Sequence, residues 1–166
     1  MRSVGEVMAI GRCFEEALQK AVRMLDIGKI GIVCNQDDYE SESEEHLRHE
    51  IAFPTDERLY KLVKSIKIGI PIMEIYRLSG VDPFFLNKIK NIVDMETQLC
   101  KLKLSDDNAA DIIHEAKRLG FSDEQIAFCQ KTDEMTIRSF RKKFNLIPVV
   151  KQIDTLAAEW PAKTNY

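Results

Sequence analysis

KIGIPIMEIYRLSGVDPFFLNKI, Lys67 to Ile89, and RLGFSDEQIAFCQKTDEMTIRSF, Arg118 to Phe140, match without a gap at an offset of 51 residues. Gly69 falls on Gly120, Ile70 on Phe121, Ile75 on Ile126, Asp82 on Asp133, Leu86 on Ile137 and Ile89 on Phe140. Both copies obey one physical grammar. A helix ends in a glycine, the residue that takes the left-handed C-cap conformation at least cost. An apolar residue follows, then Pro71 or Ser122 opens a short helix, Pro being suited to the first helical position and Ser to the N-cap. Asp82 and Asp133 then cap a third helix, with Pro83 at its first position in the earlier copy. Two such helix–turn–helix–turn–helix units packed together predict an all-α fold of two pseudo-repeated helical subdomains, about 55–101 and 104–146.

Outward from the repeat the pattern changes. In MRSVGEVMAIGR, Gly5 and Gly11 bracket the apolar run Val7, Met8, Ala9 and Ile10, which reads as a short buried strand or extended segment. The period then becomes helical: Phe14, Ala17, Leu18, Ala21, Val22 and Leu25 recur on one face, Glu15 and Glu16 sit in the first turn, and Asp26 and Gly28 stop the helix. NQDDYESESEEHLRHE, Asn35 to Glu50, is acidic and poor in apolar residues; a solvated loop, a short helix and a mobile linker all fit it, and it marks a natural boundary. Thr55 followed by Asp56 and Glu57 reads as an N-cap, with Leu59, Leu62, Val63 and Ile66 on the helical face behind it. An extended tail is expected at the C-terminus.

The 166 residues, 45% hydrophobic and 31% charged, are ordinary for a globular domain with a real core. No stretch reaches the roughly 18 apolar residues of a membrane span, and no secretory signal pattern opens the chain. A net charge of −3 argues against nucleic-acid coating. LSGVDPFFLNKIKN is the nearest thing to a DNA-reading helix-turn-helix, but Phe84, Phe85, Leu86 and Ile89 stand where polar groups would have to reach base edges. Cys13, Cys34, Cys100 and Cys129 form no C-x-x-C pair; they read as small buried side chains in a reducing compartment. His46 and His49, three apart among glutamates, read as a solvated polar face rather than a metal site, and His114 as isolated. Asp37-Asp38 and Glu44-Glu45 lack an apolar shell to tune them for acid–base work. No G-x-S-x-G and no phosphate-cradling loop occurs, so no catalytic centre and no metal site is expected. Trp160 is read as packing a linker onto the domain. Adjacent helical residues point about 100° apart, so one of Phe84 and Phe85 is expected in the core and the other at an interface.

Five stretches resemble the large chain of carbamoyl-phosphate synthetase, in the same order along nearly the whole chain. They are SVGEVMAIGR, RCFEEALQKAVRML, VDPFFLNKIKNIVDMETQL, AKRLGFSDEQIA and PVVKQIDTLAAEWPAKTNY. Asn35 to Glu50 has no counterpart. The resemblance implies a helical oligomerisation (connection) domain between two ATP-grasp halves of a larger enzyme. Residues 1–34 would end the first, carboxyphosphate-forming half; 35–54 would be an acidic linker, 55–148 the helical domain and 149–166 a linker to the second half. It implies a parent ligase that makes carbamoyl phosphate from bicarbonate, glutamine-derived ammonia and two ATP, with Mg or Mn and K, for arginine and pyrimidine synthesis. The chain itself would hold no cofactor and would be inert. Implied partners are the flanking ATP-grasp domains, a glutaminase subunit or domain, and further large chains; the compartment is the cytoplasm, or the mitochondrial matrix for some eukaryotic parents. By the same resemblance Glu6 and Met1 line a passage for carbamate. A free-standing protein–protein interaction module is the rival, disfavoured by motifs at both ends that such a module would not use.

Overall fold

The computed structural model describes residues 5–36 and 42–149. These form eight helices and, among the described residues, no strand: α1 (Phe14–Met24), α2 (Glu44–Ala52), α3 (Arg58–Lys67), α4 (Ile72–Ser79), α5 (Pro83–Lys101), α6 (Ala109–Arg118), α7 (Asp123–Gln130) and α8 (Glu134–Lys143). The fold is all-α. The repeat holds to the residue: α6 and α7 begin and end 51 positions after α3 and α4, and α8 begins 51 after α5.

The matched turns have matched bonds. Gly69 (φ 89°) and Gly120 (φ 88°) are both left-handed. Ile70 N–H donates to Ser65 O and Phe121 N–H to Ala116 O, each at 3.0 Å, while the two glycine amides donate to Ile66 O and Lys117 O. Each turn therefore closes with the pair of reversed bonds of a Schellman motif. Pro71 and Ser122 both stand at the N-cap, so Pro71 precedes rather than opens its helix; Ser122 makes a reciprocal capping box with Gln125. Asp82 caps through Phe84 N–H and Asp133 through Thr136 N–H, as the spacing predicts.

α5 is the spine. Its 19 residues span about 28 Å, and α1, α3, α4, α6 and α7 all pack on it. Leu86, Ile89, Ile92, Val93, Met95 and Leu99 carry its buried surface. In the first copy α3 is buried on Tyr60, Leu62, Val63 and Ile66. In the second, α6 buries only the narrower row Ala109, Ile113 and Ala116. The difference comes from α2, which packs on α3 and α4.

Of the linker expected over 35–54, residues 44–52 are thus a helix inside the fold. Ser43 caps it by accepting from His46 N–H at 3.1 Å, and Leu47 and Ile51, one turn apart, are its buried contacts. Arg58 ties its end to α4, donating to Ile51 O and Ser79 O. α3 begins at Arg58 with Glu57 at its N-cap, two residues beyond the Thr55 cap that the sequence predicts.

The N-terminal stretch corrects a further expectation. Residues 5–13 have no regular secondary structure and are not a buried strand: Met8 is 80% and Ile10 61% exposed. The tail from 150 onward, with Trp160, lies outside the described residues.

α1 breaks the pseudo-symmetry by sitting against the second turn. A Cβ placed on Gly120 would lie 2.8 Å from the Glu16 Cα, whereas one on Gly69 would meet nothing within 4 Å. Gly69→Ala should therefore cost only the left-handed strain, about 1–2 kcal/mol. Gly120→Ala adds an overpacking cost of about 1–3 kcal/mol. Urea denaturation of the two variants measures the difference, with Gly120→Ala showing the lower midpoint.

Candidate assembly surface and its polar supports

At the start of α5 the helical period sends Leu86 and Ile89 inward. Phe84, two positions before Leu86, is turned about 200° from it and Phe85 about 100°. Both phenylalanines are consequently exposed, Phe84 at 57% and Phe85 at 42%, so neither takes the core place expected for one of them. Phe85 lies 5.2 Å from the Phe14 ring of α1 and 5.2 Å, edge-on, from Phe84. Lys88 Nζ stands 5.6 Å over the Phe84 ring. A row of three aromatics thus runs across the α1–α5 seam, with Phe84 and Phe85 exposed, Phe14 half-buried beside them and Lys88 over one end, a composition that suits protein contact.

Beneath that row the seam is polar. Glu15 is buried, yet Asn91 Nδ2 donates to its Oε1 at 2.8 Å and Lys88 Nζ lies 3.3 Å away. Burial opposes its ionisation, but those partners hold the carboxyl below its usual range. A groove lined by Arg12, Glu15, Lys88, Asn91, Glu115 and Arg118 flanks this pair.

The second support lies at the α6–α7–α8 junction. Asp123 is buried and receives Arg141 Nε at 2.8 Å on Oδ1, Arg141 Nη2 on Oδ2, and Lys117 Nζ at 2.9 Å. Burial pushes its carboxyl up, but the guanidinium fork and the ammonium more than offset this and hold it low. Ile72 is its counterpart in the first copy, so the ionic joint replaces an apolar contact.

The third support is the loop Ile30–Asn35. Ile32, Val33 and Cys34 are fully buried without regular structure, so their backbone groups need side-chain partners. Gln19 Oε1 accepts from Ile32 N–H at 3.1 Å, Glu96 Oε1 from Cys34 N–H at 3.1 Å, and Val33 O accepts from Gln125 Nε2 at 3.2 Å. Asn35 closes the loop on itself through Ile30 N–H and Gly31 O. Lys67 pairs with Glu96 at 2.8 Å, which links α3 to the loop as well. Gln19, Gln125, Glu96 and Asn35 carry no periodic signal; the short run Ile32-Val33-Cys34 between Gly31 and Asn35 is the one trace they leave.

Glu6 is exposed on the irregular N-terminal stretch, and Met1 lies outside the described residues, as do Asp37 and Asp38. His46, His49 and His114 are exposed: His46 lies 3.5 Å from Glu42, and His49 lies 3.4 Å from Glu50 and stacks on Phe53. Cys34 and Cys129 are buried as expected, but Cys100 is exposed and Cys13 half-buried. No described helix is long and apolar enough to cross a membrane.

A helical repeat wrapped on one spine, with polar joints inside and Phe84 and Phe85 exposed at the head of α5, has the composition of a protein-contact surface. Residues 6–145 match the family described as carbamoyl-phosphate synthetase large chain, oligomerisation domain, and the chain belongs to that family. Over its whole length it is 49% identical to the carbamoyl phosphate synthase large chain of Saccharolobus solfataricus, of which it covers 16%. It is 44% identical to that of Archaeoglobus fulgidus, again covering 16%. It is also 45% identical to the multifunctional protein CAD of Squalus acanthias, of which it covers 7%. The chain thus spans a small part of each relative's length.

Asp123→Asn removes an ionic joint worth about 2 kcal/mol at neutral pH. Because the folded-state carboxyl is held low, that stability is present above the unfolded value of about 3.9 and fades as pH falls through the lower folded value. Denaturation midpoints of wild type and Asp123→Asn should therefore differ at pH 7 and converge in acid.

Proposed function

We propose that the chain serves as the connecting and self-associating helical domain of a carbamoyl-phosphate synthetase large chain. The observation that carries the assembly role is the exposed pair Phe84 and Phe85, in a row with half-buried Phe14, on a domain whose family is named for oligomerisation. The parent is then an ATP-dependent ligase that makes carbamoyl phosphate from bicarbonate, ammonia and two ATP, for arginine and pyrimidine synthesis. Its two ATP-grasp halves flank this domain and hold the nucleotide with Mg or Mn, and K; a glutaminase subunit or domain supplies the ammonia. The compartment is cytoplasmic, or the mitochondrial matrix in some eukaryotic parents. Glu6 and Met1 belong to the wall of the carbamate passage in this reading, and residues 149–166 to the linker toward the second half.

The helical domain in this reading takes in more of the chain than 55–148. Asn91 and Lys88 hold α1 onto α5, and Gln19, Glu96 and Gln125 hold the loop 30–35. These contacts support counting α1 and the loop with the helical domain, and the packing of α2 on α3 and α4 does the same for α2.

Sedimentation equilibrium across a concentration series tests the surface. Wild type should associate reversibly, and Phe84→Ala with Phe85→Ala should weaken association by about tenfold or more, the effect of losing buried aromatic anchors. Circular dichroism of the double variant should be unchanged, since both side chains are exposed. Equal association of variant and wild type would move the self-association surface elsewhere.

A further inference from the structure

Three of the four cysteines, far apart in sequence, meet in space. Cys34 comes from the buried loop, Cys129 from the end of α7 and Cys100 from the end of α5. The Sγ atoms of Cys34 and Cys129 lie 3.5 Å apart. Gln130 Nε2 donates to both Leu99 O and Leu102 O, pinning the ends of α7 and α5 together beside the thiols. Cys34 stands in the left-handed region at φ 69°, which a residue with a Cβ adopts when its surroundings hold it there. Its N–H donates to Glu96 Oε1 at 3.1 Å, which holds the backbone that carries the sulfur in place. The cluster has a solvent side, where Cys100 is exposed.

We propose that Cys34 and Cys129 are a peroxide-oxidisable thiol pair, a modification site that converts the packed loop into a covalently locked one. The co-reactant is a small hydroperoxide. The Cys129 thiolate attacks the peroxide oxygen; an S–O bond forms, the O–O bond breaks and the departing hydroxide takes a proton. The Cys34 sulfur, giving up its proton, then attacks the Cys129 sulfenic sulfur, forming the S–S bond and expelling the second oxygen as water. Two thiols are oxidised and one hydrogen peroxide becomes two waters.

The environment sorts the roles. Either sulfur can donate in the Cys34–Cys129 contact; with Cys34 and Cys100 as donors, the Cys129 thiol is held below its usual range. That same contact and burial push the Cys34 thiol up. Cys100 is also raised, to about 12, chiefly by desolvation. The geometry points to the same sulfur: Cys129 is the one flanked by two thiols, and Cys34 lies 3.5 Å from it.

The bridge would join the loop after α1 to α7 across 95 positions of sequence. Closing so long a loop restricts the unfolded chain, so the oxidised protein should melt at a higher temperature.

The test is hydrogen peroxide treatment of the folded 166-residue chain, followed by alkylation of the remaining thiols, intact mass and peptide mapping. The expected product is monomeric, two hydrogens lighter, with two alkylated cysteines and a linked pair of peptides carrying Cys34 and Cys129. Thiol reductant should reverse it and lower the melting temperature again. The Cys13→Ser, Cys100→Ser double variant keeps both pair members and should form the same bridge. Cys129→Ala should give no bridge to Cys34. Four alkylated thiols after treatment, a Cys100–Cys129 bridge, or sulfinic acid on Cys129 in the double variant would each overturn the assignment.

Discussion

The structure depends on hiding a stretch of backbone that belongs to no helix. Residues 31–35 are all buried, and their amides and carbonyls cannot be left bare at a cost of about 1–3 kcal/mol each. The partners come from four places at once: Gln19 in α1, Glu96 in α5, Gln125 in α7 and Asn35 in the loop itself. Gly31 is what lets them converge, since a Cβ there would lie 2.1 Å from Gln125 Nε2 and 2.5 Å from Gln19 Oε1. The N-terminal helix, the spine and the second repeat are therefore held by one hydrogen-bonded knot as well as by apolar contact.

That knot explains why a repeat of two equal units is unequal in its surroundings. α2 covers the first unit, and α1 with the loop closes on the second. The same Schellman turn is open at Gly69 and occluded at Gly120. Asp123 with Arg141 and Lys117 takes over, by charge, the place that Ile72 holds in the first copy. What remains outward at the head of the spine is the aromatic row Phe14, Phe85 and Phe84.

The repeat was legible because its signals are local. Asp82 and Asp133, Gly69 and Gly120, and Ser122 with Gln125 each act within one turn of chain, and helix starts follow from them. α2 was only one of three readings because two apolar residues, Leu47 and Ile51, carry its contact among charges. The exposure of the N-terminal run is not legible, since Met8 and Ile10 read the same in sequence whether they face a core or the outside. For Phe84 and Phe85, spacing fixes only their relative angle, while Leu86 and Ile89 decide which side is inside. The knot itself was illegible. Gln19 and Gln125 are 106 positions apart, and a glutamine written in a sequence does not announce whether it meets water or a buried amide.

Native-state hydrogen exchange of Ile32 and Cys34 tests the central claim most directly, because their amides are held by Gln19 and Glu96. If the loop is part of one cooperative core, both amides exchange with the same opening free energy as the Leu86–Leu99 stretch of α5 and respond equally to denaturant. Exchange of Ile32 and Cys34 through a separate, low-energy opening while α5 stays protected would contradict it, and α1 with its loop would then be a docked appendage.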